Sequence, residues 1–195
     1  MSDPSPPYHH GDLANALLEA GRALLASDGL EALSLRAVTR RAGVSATAAV
    51  PHFGSLAGLR AALAAQGYRE LALALGDASS AHQVGMAYIR FALANPNLFQ
   101  LMFRRALLLE SSEALQSASQ SAFEALRGLA QGLDTATGRD EGSAARMAGL
   151  WGRVHGLAML AIDGMLSPMI AAEGFQTVEG FLAEALDSGG KARAD

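Results

Sequence analysis

Two groups of residues in this 195-residue sequence have types and spacings that suit binding chemistry. The first is basic. Arg36, Arg40 and Arg41 stand close together, Arg60 and Arg69 follow, and no acidic residue occurs between Glu31 and Glu70. The formal net charge of -4 therefore conceals a basic segment on an acidic body. Clustered guanidinium groups with the hydroxyls of Ser34, Ser45 and Thr47 among them suit a protein that touches a polyanion at one end. The alternative is an ordinary solvated helix face that happens to be rich in arginine. The second group is Trp151 and His155, which at i and i+4 share one face of a helix as an apolar wall with a polar handle. Met86, Phe91, Met102, Phe103 and Met159 complete a candidate ligand pocket, because methionine-lined cavities adapt to varied apolar molecules. The competing reading is plain core, with His155 as a satisfied core histidine.

Other chemistries find little support. The histidines at 9, 10, 52, 82 and 155 form no pair with a carboxylate or second histidine at metal-ligand spacing. The "HHGD" at 9–12 reads as a DNA-approaching or capping segment rather than a metal site. There is no Gly-x-Ser-x-Gly, no Walker loop and no dinucleotide fingerprint, so neither an enzyme nor a bound cofactor is expected. With no cysteine, disulfides and thiolate metal sites are excluded. No apolar stretch approaches the ~20 residues that span a bilayer, and "GLAMLAIDGML" is interrupted by Asp163. The opening "MSDPSPPYHHGDL" lacks a charged region followed by an apolar run, so a soluble, cytoplasmic protein with no membrane partner is expected.

These residues must be positioned by helices. Ala, Leu and Gly dominate, aromatic residues make up only 6%, and β-branched residues are scarce, which favours helix over sheet. After an unordered Pro/Ser-rich arm (1–7), Leu13, Leu17, Ala20 and Leu24 recur at helical spacing from Asp12 until Asp28 and Gly29 stop the helix. Ser34 can cap a second helix, with Leu35, Val38 and Ala42 inward and the arginines outward. Gly43 supplies a turn, Val44 points inward and Ser45 caps a third, short helix. Two short helices joined by a glycine turn and resting on a longer one make a helix-turn-helix over 8–54.

The remainder, 55–187, reads as helical up to a polar tail (188–195). Ser55 and Ser111 or Ser112 are expected caps, a helix is expected from Ser80 to Ala94, and Pro96 suits a first turn. A helix of about 25 residues is expected from Gly142 to Leu166, closed by Pro168, with a last one from Thr177 to Leu186. The fold class is all-α, with about nine helices and no convincing strand. Gly149, Gly152 and Gly156 fall on one face of the long helix, each costing ~1 kcal/mol relative to alanine. Such a bare face suits the close approach of another helix. It reads as part of a dimer seam with Val154, Phe181, Leu182 and Leu186 nearby, or as close packing within one subunit.

The stretch "YHHGDLANALLEAGRALLASDGLEALSLRAVTRRAGVSATAAVPHF" resembles the N-terminal domain of TetR-type transcriptional regulators. "YIRFALANPNLFQLMF" and "LWGRVHGLAMLAIDG" look like the ligand-binding and dimerisation region of the subgroup with a Trp-x-x-x-His-Gly signature. The resemblance covers about residues 8–187. It implies a homodimer whose two heads straddle a palindromic double-stranded DNA operator, most simply a repressor released by a small apolar effector. Carried onto this chain, Ser45, Ala46, Thr47 and Ala48 form the leading turn that faces base edges, where hydroxyls donate or accept and methyl groups pack on thymine. Ser34, Arg36, Arg40 and His52 would contact the phosphate backbone, as would the N–H groups at the helix starts.

The departures matter as much. Val50 stands where the family usually has a tyrosine, and Leu56 where it usually has a lysine, both commonly phosphate ligands. Pro51 replaces a polar or aromatic residue, and is expected to leave the third helix short or kinked at Val50 and Pro51. Two readings stay open: DNA binding retained with altered strength or specificity, or a helical ligand-binding dimer whose operator binding has weakened or gone.

Overall fold

The computed structural model describes residues 10–108, 112–134 and 143–188. The expected arm (1–7), most of the loop after Asp134 and the expected tail beyond Ser188 lie outside the described residues. Among the described residues there are ten α-helices, one short 3-10 turn and no strand, close to the nine helices expected. None of these helices is long and apolar enough to cross a membrane. The residues fall into two compact units: one through Gly67 together with Asn97–Gln116, the other Tyr68–Pro96 with the residues from Ser117 onward.

In the first unit, α1 (His10–Asp28) buries Leu17, Ala20, Leu24 and Leu25, the stripe its spacing dictates. It packs against α2 (Leu35–Arg41), which starts where Ser34 Oγ accepts the Ala37 N–H at 3.2 Å. Val38 is fully buried beneath it, and the buried Thr39 satisfies its hydroxyl on the Arg36 carbonyl at 3.2 Å. Gly43 then takes φ +71°, a left-handed conformation that side chains disfavour, and the Val44 N–H folds back onto the Thr39 carbonyl at 3.0 Å.

The third helix is short, as expected, but it begins later than expected. Residues 46–49 form turns rather than helix, and α3 (Val50–Phe53) is only four residues long. Ser45 caps no helix; its carbonyl accepts the Ala48 N–H at 3.0 Å and its Oγ lies 3.4 Å from Thr47 Oγ1. Pro51 therefore opens the helix instead of ending it. Its locked φ and missing N–H are harmless in a first turn, where no intrahelical partner is required of the nitrogen.

Helix α4 (Leu56–Gly76) begins where Ser55 Oγ accepts the Gly58 N–H at 3.0 Å, and buries Leu59 and Leu63 fully. A methyl group on Gly67 would come within 2.6 Å of Met102 Sδ, so α6 (Pro96–Phe103) approaches α4 closely there. Asn97 Nδ2 donates to the Leu25 carbonyl at 2.7 Å, tying α6 to the last turns of α1. A 3-10 turn (Arg105–Leu107) follows, and Ser112 Oγ accepts the Leu115 N–H at the start of α7 (Glu113–Asp134).

The second unit is built on α5 (Ala81–Ala94), capped by Ser80 and buried along Val84, Tyr88, Ile89 and Ala92. It packs against α8 (Ser143–Ile162) and α10 (Val178–Ser188). The expected long helix is shorter than its pattern suggested. It stops at Ile162, Gly164 adopts φ +71°, and the Met165 N–H returns to the Leu160 carbonyl at 2.9 Å. Pro168 then sits in the first turn of α9 (Ser167–Ala172), so this proline too opens a helix rather than closing one.

Candidate functional site

Of the basic segment, Arg36, Arg40, Arg41 and Arg60 lie in the first unit and Arg69 in the second. Arg36, Arg40 and Arg41 are exposed on α2, while Ser34 is partly buried and uses its oxygen as a cap. Ser45, Ala46 and Thr47 are exposed in the turn after Gly43, Ala48 is half-buried and Ala49 is fully buried. Ala49 anchors a segment whose preceding residues point at solvent. His52 is half-buried, with its ring centroid 6.2 Å from that of Phe53. Val50, at the place of the family's tyrosine, is 48% exposed. The surface offered here is thus guanidinium groups, two small hydroxyls and methyl groups, with an apolar side chain following.

The second unit holds a three-residue polar cluster inside an apolar setting. Trp151 Nε1 donates to the Tyr88 hydroxyl oxygen at 3.2 Å, and that hydroxyl lies 2.9 Å from His155 Nδ1. An indole N–H can only donate, so the phenol oxygen accepts from Trp151 and its own hydrogen is available to His155 Nδ1. In that arrangement the imidazole is neutral with Nδ1 as acceptor; in the other tautomer Nδ1–H donates to the second lone pair of the phenol oxygen. Burial works the same way: it pulls the His155 pKa below its ordinary value. Burial also raises the Tyr88 pKa strongly, partly offset by the Trp151 hydrogen bond, so the phenol keeps its proton. The same cause pushes Tyr68 up to about 12. The i, i+4 pair seen in the sequence thus acts on a third residue, Tyr88 on α5, which sequence spacing did not reveal.

Beside this cluster runs a cleft of about 510 Å³. Of the pocket residues expected from the sequence, Trp151 lines it. Met86 and Phe91 are buried in the second unit, Met159 and His155 are half-buried there, and Met102 and Phe103 belong to the first unit, where the Phe103 ring packs 4.9 Å from Phe99. The cleft instead takes Met147, Leu150 and Val154 from α8, Leu186 from α10, and two arginines, Arg146 and Arg153. Their spacing, i and i+7 around Trp151, is a signal the sequence carried. Arg153 Nη2 donates to the Ala185 carbonyl, linking α8 to α10. At another part of the lining, His82 Nδ1 lies 2.8 Å from Asp187 Oδ1, at ion-pair distance though without hydrogen-bond alignment.

The residues expected at a dimer seam divide. Among the described residues, a methyl group built on Gly149, Gly152 or Gly156 would meet nothing within 4 Å. Leu160, the next position on that face, is 44% exposed. Val154 and Leu186 line the cleft and close over Gly85, Leu182 is fully buried within the protomer, and Phe181 packs edge-on against Phe175 at 5.4 Å.

Comparison with known proteins adds independent findings. Residues 17–63 match the bacterial regulatory proteins of the tetR family, and residues 81–184 match the tetracyclin repressor-like C-terminal domain. A protein of unknown function from Rhodococcus sp. RHA1 is 30% identical, with a TM-score of 0.76 over 94% of this chain and 96% of its own. A chain assigned to the tetR transcription regulators from Shewanella sp. PV-4 is 25% identical, with a TM-score of 0.58 over 89% of this chain and 95% of its own. A chain assigned as a transcriptional regulator from Pseudomonas aeruginosa PAO1 shares the fold at 22% identity and a TM-score of 0.53, over 96% of this chain and 94% of its own. No curated protein matches.

Proposed function

Because this chain belongs to the TetR family of bacterial regulatory proteins, we propose that it is a ligand-responsive transcriptional repressor. It binds a palindromic operator as a homodimer and is released when a small, mainly apolar effector enters its C-terminal half. Residues 8–54 form the DNA-binding part and 55–187 the part that takes ligand and partner. Such a regulator acts in the cytoplasm, beside the chromosome.

The observation that carries this reading is the exposed run Ser45, Ala46 and Thr47 behind an α2 that presents Arg36, Arg40 and Arg41 to solvent. In a helix-turn-helix the leading residues of the second element meet base edges in the major groove while flanking cations take phosphates. Counterion release by those cations supplies much of the affinity and makes it depend on salt. The cleft beside Trp151 supports an effector site, since its volume suits a small ligand. The open glycine face of α8 supports a partner helix from a second copy. The Trp151, His155 and Gly156 signature, with its Tyr88 partner, supports placement in the Trp-x-x-x-His-Gly subgroup.

A second reading rests on the four-residue α3 and the exposed Val50. With tyrosine and lysine replaced by Val50 and Leu56, a dimer forfeits phosphate contacts and becomes a ligand-binding protein with little hold on an operator. A mobility-shift assay on the DNA flanking its own gene, at low and moderate salt, separates the two. A retarded band that specific but not random competitor removes is the expected result. Equal competition by both DNAs would leave only the second reading.

A further inference from the structure

We propose that Arg60 is a DNA-phosphate contact, reaching the duplex backbone from the second turn of α4. The inference rests on the reading of the first unit as an operator-binding part, and adds to it a cation that lies outside α2 and outside the exposed turn.

The helix register places it. Only Gly54 and Ser55 separate α3 from α4, so the start of α4 follows directly on residues 45–53. Arg60 stands four residues after Leu56 on the same face of α4, ~6 Å further along the axis. Helical side chains lean toward the N-terminus of their helix, so that of Arg60 covers the turn that begins at Leu56. The half-buried Leu56 brings no charge to that turn, at the place where the family usually has a lysine. A guanidinium arriving from one turn later serves the same stretch of backbone.

The state of the side chain points the same way. Arg60 is half-buried, and its Nε is sealed from solvent without a hydrogen-bond partner. Among the described residues it makes no hydrogen bond and no ion pair, and its terminal nitrogens are not sealed off. The nearest acidic residue along α4 is Glu70, ~15 Å further on. An arginine that only braced the fold would spend its donors on a carboxylate or a backbone carbonyl, as Arg153 does on that of Ala185. Arg60 instead carries a permanent charge with its donors unspent. A pair of phosphate oxygens matches that fork, and a partly packed side chain loses less freedom when the contact forms.

The full-length protein is titrated by fluorescence anisotropy across a salt series with two labelled duplexes of equal length: the DNA flanking its own gene and a random sequence. Phosphate contacts carry no sequence information, so Arg60→Gln should weaken both complexes by the same factor. It should also lower the logarithmic salt slope by about two in a dimer, one per protomer. Arg60→Lys should keep the slope, and Leu56→Lys added to Arg60→Gln should restore it. Thermal melts accompany each variant, and Arg60→Met, which keeps an apolar stem, replaces Arg60→Gln if the latter melts early. A folded Arg60→Gln or Arg60→Met protein with the native slope would overturn the proposal. So would a loss confined to the gene-flanking duplex, or a slope that Leu56→Lys leaves unrestored. A native protein that binds neither duplex at low salt would overturn the operator reading itself.

Discussion

The Tyr88 hydroxyl and His155 Nδ1 lie 2.9 Å apart and join positions 67 residues distant in the chain. With Trp151 donating to the same oxygen at 3.2 Å, they lock α5 to α8 through one polar contact in a mostly apolar interface. Tyr88→Phe keeps the shape and deletes the oxygen, leaving an indole N–H and an imidazole nitrogen without this partner. The loss should be about 1–2 kcal/mol, below the value for fully buried groups because Trp151 and His155 are partly exposed. Urea unfolding followed by Trp151 emission measures it; an unchanged midpoint would show that the cluster contributes nothing to stability.

The same cluster makes stability depend on pH. Burial lowers the His155 pKa in the folded protein, so the unfolded chain binds a proton that the folded one resists. Stability therefore rises with pH wherever the unfolded state is the more protonated. His155 contributes its full share above the unfolded histidine value of about 6.5, and this share is lost as pH falls through the depressed folded value. The urea midpoint of the native protein should decline below about pH 6.5, and more steeply than that of His155→Gln. Parallel curves for the two proteins would contradict the assignment, because the remaining histidines are common to both.

The glycine face of α8 allows a test whose sign differs between the two explanations of its composition. Among the described residues of one protomer a methyl group at Gly152 or Gly156 meets nothing within 4 Å, and replacing glycine by alanine in a helix then stabilises it by ~1 kcal/mol. If a second copy packs against that face, Gly152→Leu with Gly156→Leu drives the helices apart. Sedimentation at micromolar concentration should show a dimer for the native chain and a monomer for the double variant. A double variant that remains dimeric would place the seam elsewhere.

Val50 and Leu56 supply the fourth prediction. The first is 48% exposed and the second half-buried at the start of α4. Val50→Tyr with Leu56→Lys restores the two groups that the family commonly uses on phosphates. Operator affinity should rise, and each added cation that reaches a phosphate should steepen the logarithmic salt dependence by about one. Filter binding across a salt series reads both quantities; no gain in either would mean that this protein holds its phosphates by other groups.

What was legible in the sequence is what local chemistry decides. Ser34, Ser55 and Ser112 each accept an N–H from the residue three positions on, so a cap can be read from a single short window. The prolines show the limit of such windows. Pro51 and Pro168 read as helix stops, yet each opens a helix, because a residue without an N–H suits both the end of one helix and the first turn of the next. The turns upstream decide which, through Val50 bonding the Thr47 carbonyl and Met165 the Leu160 carbonyl.

By itself, then, the sequence determined an all-helical chain, its caps, its basic segment and the shared face of Trp151 and His155. These follow from interactions within about one or two turns of helix, whose partners are set by spacing. Only the tertiary structure decided that this face closes on Tyr88, that Met102 and Phe103 serve the first unit, and that Arg146 and Arg153 edge the cleft. Those outcomes depend on which distant helices come together. Helical periodicity sets which side of a helix is apolar, but not which apolar surface will cover it.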